Sequence, residues 1–281
     1  MSDAAYFVPI HENTRTATDP ESTPAVRVEH FRPTRHTVST WGDDLQHGAP
    51  PSALLTRALE RHTPRPGTRL TRITIDLLGP VPLTDIEVRS WIDRPGRKIE
   101  LVVAELWATA PDGTRRAVAR GTAWRLETVD LPDVARTSEP PLTPVAETER
   151  TDMAGVFSSF TGYIDTLDWR IVVPFGVPGP SAAWLRTDVA LVEGETPTVV
   201  ERLFTVADVA NGIGSKLDPR HWLFLNTDLT VHLFRAPDSD WTGIAAETSV
   251  GPDGVGMTTG VLYDETGPLG RITQNVQVRP R

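Results

Sequence analysis

Residues 204–237 read FTVADVANGIGSKLDPRHWLFLNTDLTVHLFRAP. The stretch predicts a helix ending, a loop crossing and a strand beginning. Asp208 falls in the last helical turn, just before Asn211-Gly212, a helix-stop pair. A carboxylate at that end meets the negative pole of the helix dipole, which repels it. It also lies four residues after Phe204, so it flanks the apolar side and should be at least partly buried. A residue that breaks a local rule without visible compensation is a candidate for function.

Upstream of this stretch, Thr196-Pro197 reads as a helix start, with Val199, Val200, Leu203, Phe204 and Ala207 lining one side. Before it, Trp184–Val192 reads as one strand. Downstream, Leu223–Phe234 is followed by strands at Gly243–Val250, Gly256–Tyr263 and Arg271–Val278. In the last of these Gln274 alternates with Ile272, Val276 and Val278, which sends it to the core side. A buried amide must find partners, so Gln274 either ties down a carbonyl or holds water or substrate beside Asp208. Asn226 shares parity with Asp228, Thr230 and His232, the polar face. It can point inward only if the strand start is bulged or that face is covered.

The first half shows the same order. Residues 1–25 are polar and Pro/Thr-rich, a loosely held arm. Val26–Thr40 has room for a short strand or two. Gln46-His47-Gly48 then opens a helix that runs to Glu60, with Pro50 and Pro51 in its first turn. From Leu70 the period changes to two: Ile73, Ile75 and Leu77 alternate with polar residues. Ile86–Asp93 and Lys98–Ala110 form a hairpin about Arg94-Pro95-Gly96-Arg97, and Arg115–Glu127 follows. Thr128–Thr151 has no sustained apolar period and reads as a linker. The chain therefore divides into 1–127, a linker 128–151, and 152–281. Each half carries one helix followed by an antiparallel meander.

Composition narrows the function classes. The 281 residues carry a net charge of −9 and no basic stripe, which argues against a nucleic-acid partner. With no cysteine there is no thiolate nucleophile, thiolate metal site or disulfide. No G-x-S-x-G elbow or metal-spaced His pair occurs, so neither a covalent nucleophile nor a metal is implied. No apolar run approaches the ~18 residues a membrane span needs, and the N-terminus lacks the basic-then-apolar pattern expected of a signal peptide. A cytoplasmic protein without cofactor is the expectation.

One long helix wrapped by a curved antiparallel sheet, twice in one chain, resembles the double hot-dog acyl-CoA thioesterases of the bacterial acyl-CoA thioesterase II type. The resemblance runs from about Thr40 to the C-terminus, leaving out the linker. It is carried by Gln46-His47-Gly48, by Arg94-Pro95-Gly96-Arg97, by Asp228 through Arg235-Ala236-Pro237, and by Thr273-Gln274. It implies an α+β tandem hot-dog fold and hydrolysis of an acyl thioester, borne by coenzyme A or a carrier protein. In that family an Asp on the second helix, a Thr at the next strand's start and a Gln on the last strand position the water. Asp208 and Gln274 match in type, and Asn226 stands at the Thr position. Gln46, His47 and Gly48 would bind substrate, with backbone amides at the helix start polarising the thioester carbonyl. Arg94 and Arg97 would meet the phosphates of coenzyme A. Glu60 lies too far along its helix from His47 to share that site. The position matching Asp208 in the first half is Thr56 or Arg57, so that half lacks its own acid. Two alternatives stay open: a dehydratase pairing His47 with Asp208, and a non-catalytic acyl-binding protein. Exposed sheet edges predict a homo-oligomer.

Overall fold

The start of the first helix shows how the sequence sets its own boundaries. Pro50 and Pro51 fit an opening turn, where their missing N–H groups are not needed. The helix is buried along its length from Ala49 to Leu59, its one charged residue there, Arg57, being paired with Glu29 and Glu195. What covers it is one continuous sheet and a second helix. The computed structural model describes residues 5–10, 16–17, 25–109, 113–153 and 162–281.

The first half contains β1 (Ala5–Pro9), β2 (Thr16–Ala17), β3 (Val26–Pro33), α1 (Ala49–Arg61), β4 (Thr68–Leu77), β5 (Ile86–Arg94), β6 (Ile99–Thr109) and β7 (Arg115–Glu127). The second contains β8 (Leu167–Val173), β9 (Ser181–Thr187), β10 (Ala190–Val192), α2 (Val199–Ala207), α3 (Ala210–Gly214), β11 (Trp222–Asn226), β12 (Asp228–Leu233), β13 (Thr242–Val250), β14 (Val255–Asp264) and β15 (Gly267–Pro280). The main path of the sheet runs β10-β1-β3-β5-β6-β7-β4-β12-β15-β14-β13-β9-β8, with β11 also on β15 and β2 on β3. Helix α1 packs on β4–β7 and on α2, so the two wrapped helices share one core. The predicted helix-then-meander repeat is present in both halves.

The halves join where β4 pairs antiparallel with β12, and the hydroxyls of Thr74 and Thr230 meet there at 3.0 Å. They are also stitched at the N-terminus. Residues 5–9 are not a loose arm, because β1 inserts between β3 and β10, antiparallel to one and parallel to the other. Tyr6 and Phe7 are fully buried, and the Tyr6 hydroxyl meets Thr166 Oγ1 at 2.6 Å. Two buried aromatic rings outweigh the polar composition around them. The remainder of that predicted arm, outside β1, β2 and Ile10, lies largely beyond the described residues.

Three further expectations are corrected. The strand read at Trp184–Val192 breaks into β9 and β10, where the Val189 N–H donates to Thr187 Oγ1 instead of a ladder partner. The strand read at Leu223–Phe234 is β11 and β12. Asn226 pairs with Val276 and Thr230 with Thr273, so one extra residue is accommodated between them. The segment 128–151 carries no strand, but it is docked: Leu142 and Val145 pack against Trp184 and Trp241. Trp184 Nε1 donates to the Thr143 carbonyl at 2.7 Å.

Candidate active site

Helices α1 and α2 pack antiparallel. Arg61 at the end of α1 pairs with Glu201 at the start of α2, at 3.0 Å. Asp208 at the end of α2 stands by His47 and Gly48 at the start of α1. The dipole misfit seen in the sequence is thereby compensated. Asp208 caps the negative pole of one helix and faces the positive pole of its neighbour. The helix ends at Ala207, earlier than Asn211-Gly212 suggests. Those two residues belong to α3, and Asn211 Nδ2 donates to the Phe224 carbonyl at 3.1 Å.

Asp208 is 2% exposed. Its Oδ1 accepts from Asn226 Nδ2 at 2.7 Å and lies 3.5 Å from Gln274 Nε2. Gln274 Nε2 also donates to the Asp208 backbone carbonyl at 3.1 Å. Asn226 reaches inward because the register shift after β11 resets parity: Phe224 and Asn226 face one way, and Leu229 and Val231 continue that side on β12. Thr227, next along, turns its hydroxyl to Asp228 at 3.3 Å. Burial pushes the Asp208 carboxyl up to about 6, against the opposing hydrogen bond from Asn226.

His47 Nδ1 accepts the Ala49 N–H at 3.1 Å, which places the ring proton on Nε2. Burial pushes its pKa down to about 3, so the ring is neutral. The 3.4 Å approach of Nδ1 to Asp208 Oδ2 is therefore no ion pair. The ring stacks on Tyr163 at 4.3 Å between centroids, 27° from parallel. Tyr163 in turn donates its hydroxyl to the Thr205 carbonyl, one turn before Asp208.

The α1 N-terminus presents few free donors. Pro50 and Pro51 have none, the Ala49 N–H is taken by His47, and the Ser52 N–H donates to Gly48 O at 3.0 Å. The Gly48 N–H makes no hydrogen bond among the described residues. Asp208 Oδ2 lies so near that a Cβ on Gly48 would come within 2.6 Å of it. These groups edge a cavity of about 300 Å³ whose wall is largely apolar, including Trp41, Leu45, Val81, Trp169 and Phe224. Trp41 and Phe224 meet edge to face at 5.3 Å.

The structure thus gathers Asp208, Asn226, His47 and Gly48 on one cavity wall with Gln46, while Gln274 holds Asp208 without itself lining the cavity. Arg94 and Arg97 are exposed on the β5–β6 hairpin and do not line the cavity. Arg94 Nη1 donates to the Ile99 carbonyl at 2.8 Å. Glu60 sits at the other end of the helix pair, accepting from Thr198 Oγ1 at 2.6 Å. Tyr163 and Trp41 escaped the sequence reading, because neither lies on a segment with a readable period. Among the described residues no cluster of His, Asp or Glu is suited to hold a metal. Nor, among the described residues, is any helix long and apolar enough to cross a membrane.

A helix-centred antiparallel meander, present twice and fused through one sheet, defines a tandem hot-dog protein. Sequence models of the acyl-CoA thioesterase N-terminal and C-terminal domains match residues 37–126 and 137–278. The chain belongs to the acyl-CoA thioesterase family. Solved structures agree on the fold. A conserved hot-dog protein from Alicyclobacillus acidocaldarius superposes with a TM-score of 0.71 at 15% identity, covering 90% of this chain and 93% of its own. A protein described as a thioesterase II from Thermobifida fusca YX gives 0.70 at 16%, covering 90% and 92%. An acyl-CoA thioesterase II from Mycobacterium marinum gives 0.63 at 13%, covering 90% and 93%. No curated protein matches the sequence.

Proposed function

We propose that the protein hydrolyses acyl-CoA thioesters with water activated by Asp208. The observation that carries this reading is the buried Asp208 carboxylate, which shares one cavity wall with Asn226 and the unclaimed Gly48 N–H and is held from behind the wall by Gln274. The acyl chain lies along the apolar wall and its thioester oxygen accepts from Gly48 N–H. Asp208 takes a proton as the water oxygen bonds to the carbonyl carbon. Collapse of the adduct breaks the C–S bond, and the departing sulfur receives that proton. A carboxylic acid and a free thiol result, and Asp208 is regenerated. Negative charge building on the carbonyl oxygen is met by the Gly48 amide and the positive end of α1. Hydrolysis is favoured over dehydration because His47 Nδ1 already accepts from Ala49 and Nε2 carries the ring proton, which leaves no free lone pair to take a proton from substrate.

Thiol release from a panel of acyl-CoAs tests the reading. Asp208→Asn should lower kcat by about 10²–10⁴. A base whose pKa is about 6 must be ionised to act, so kcat/KM should climb with pH through that value and level off above it. Full activity in Asp208→Asn would remove the carboxylate from the mechanism. Retention of acyl-CoA without turnover would point to a binding protein instead.

A further inference from the structure

Tyr163 opens a single turn of 3-10 helix, Tyr163–Thr166, ahead of β8. Its backbone holds it in place. The Tyr163 N–H donates to the Val38 carbonyl at 3.0 Å, and the Tyr163 carbonyl accepts from Thr166 Oγ1 at 2.6 Å. Gly162, just before it, lies so near the Val38 carbonyl that a Cβ there would come within 2.5 Å. The ring is fully buried on His47, and the hydroxyl donates to the Thr205 carbonyl. That carbonyl is one that the end of α2 leaves open. In a continuing helix it would accept from the Val209 N–H, but Val209 turns to the Val206 carbonyl at 3.2 Å instead. A phenol thus supplies the bond that a basic side chain often gives to a last helical turn. Burial, and after it Tyr6 and Asp208, hold the hydroxyl well above its ordinary range, so it stays a donor.

Open carbonyls make up the negative pole of a helix, and Asp208 caps that pole of α2. Each carbonyl that gains a donor is less negative toward the carboxylate. The other groups around Asp208 bring no positive charge to this end. His47 on α1 is neutral. Asn211 on α3, Asn226 on β11 and Gln274 on β15 are amides. Charged side chains on the adjoining segments are turned elsewhere: Arg202 to Asp240, Asp165 to the Gly162 N–H and Asp228 to the Asn275 N–H. Resting on the reading of Asp208 as the base, we infer that Tyr163 is its positioning residue. By donating to the Thr205 carbonyl it weakens the negative pole beside the carboxylate, and so keeps Asp208 ionised at a lower pH than the helix end alone would allow.

Tyr163→Phe keeps the ring on His47 and removes only the O–H. With carboxyl-labelled aspartate, the Asp208 resonance, assigned by its loss in Asp208→Asn, should titrate about 0.5–1 pH unit higher in the variant than in the wild type. The acid limb of the kcat/KM profile should move up with it. A residue that only packs would lower the plateau and leave the midpoint in place. An Asp208 midpoint that stays put, or falls, in folded Tyr163→Phe overturns the inference. A second measurement needs no change at Tyr163. The chain has three tyrosines, so the ring carbon bearing the Tyr163 hydroxyl can be followed by nuclear magnetic resonance in the wild type. Its signal should move with the Asp208 midpoint and stay flat in Asp208→Asn. A flat signal in the wild type overturns the inference even if Tyr163→Phe does not fold. Both resonances are read without turnover. A shifted Asp208 midpoint in a protein that releases no thiol from acyl-CoA would therefore sink the hydrolase reading and leave this coupling standing.

Discussion

Asp208 carries two opposed demands. Its burial favours the protonated form, while a base must be ionised. Its folded pKa of about 6 lies above the ordinary 3.8, so the stabilisation it gives is complete below about pH 4 and is lost as pH rises through 6. Asp208→Asn should therefore be more stable than the wild type at pH 8, by roughly 1–3 kcal/mol, with the gain vanishing at pH 4. Denaturant titrations at the two pH values check this, and a less stable variant at pH 8 would contradict it. Gly48 gives a complementary prediction. Its φ of −64° suits any residue, so Gly48→Ala should fold, but the new Cβ displaces the Asp208 carboxylate. Activity should fall by at least about tenfold with little change in melting temperature. Unaltered kinetics would show that the carboxylate need not sit where it does. Asp208 and Gln274 were legible in the sequence, one through a dipole misfit and the other through strand parity. Asn226 was named only through the family resemblance, against its strand parity, because one extra residue in a strand reverses which side chains face inward and leaves no mark on composition.

Among the elements, α1 shows most clearly what a sequence hides. Its start is announced by Gly48 and two prolines, but its end is held by a residue far away. Arg125 on β7 donates to the carbonyls of Leu59, His62 and Thr63 at 2.8–3.1 Å and pairs with Glu100 at 2.7 Å. One guanidinium fork thus satisfies carbonyls that the helix itself leaves open. Just past the cap, Thr63 has φ +43°, a left-handed conformation that glycine adopts without penalty. Thr63→Gly should stabilise the protein by about 0.5–1 kcal/mol without touching the cavity at the other end of the helix. Thermal unfolding measures it, and a loss of stability would mean that the threonine side chain contributes more than its backbone costs. Helix periods and strand alternation were readable because they repeat locally. The Arg125 cap, like the stack of Tyr163 on His47, joins segments distant in sequence, and such pairs follow only from the assembled fold.

Across the whole molecule, the two halves are held by unlike devices at the two ends of the helix pair. At one end stands the apolar cavity with its single acid. At the other, Arg57 donates to Glu195 at 2.7 and 2.8 Å and to Glu29 at 3.1 Å, while Arg61 reaches both Glu195 and Glu201. Repetition in the sequence announced a near-symmetric pair of halves. Thr56 and Arg57, the first-half positions set against Asp208, carry no carboxylate, which anticipated that the ends would differ. The seam between the halves was not foreseen. There Asp76 on β4 lies directly across from Asp228 on β12. Burial raises the Asp76 carboxyl above its ordinary range, and the facing Asp228 raises it further, with Arg120 opposing. A raised pKa means that stability is given up as pH climbs past it, and like charges paired across strands cost about 0.2–1 kcal/mol. Asp228 also accepts the Asn275 N–H at 3.0 Å, so Asp76 is the partner that can be neutralised without breaking the ladder. Asp76→Asn should raise stability at pH 7 by an amount in that range and leave it unchanged at pH 3, where the raised Asp76 carboxyl is protonated. Denaturant midpoints at the two pH values decide the matter. An equal gain at both would assign the effect to packing at the seam, and no gain at either would show that solvent already screens the pair.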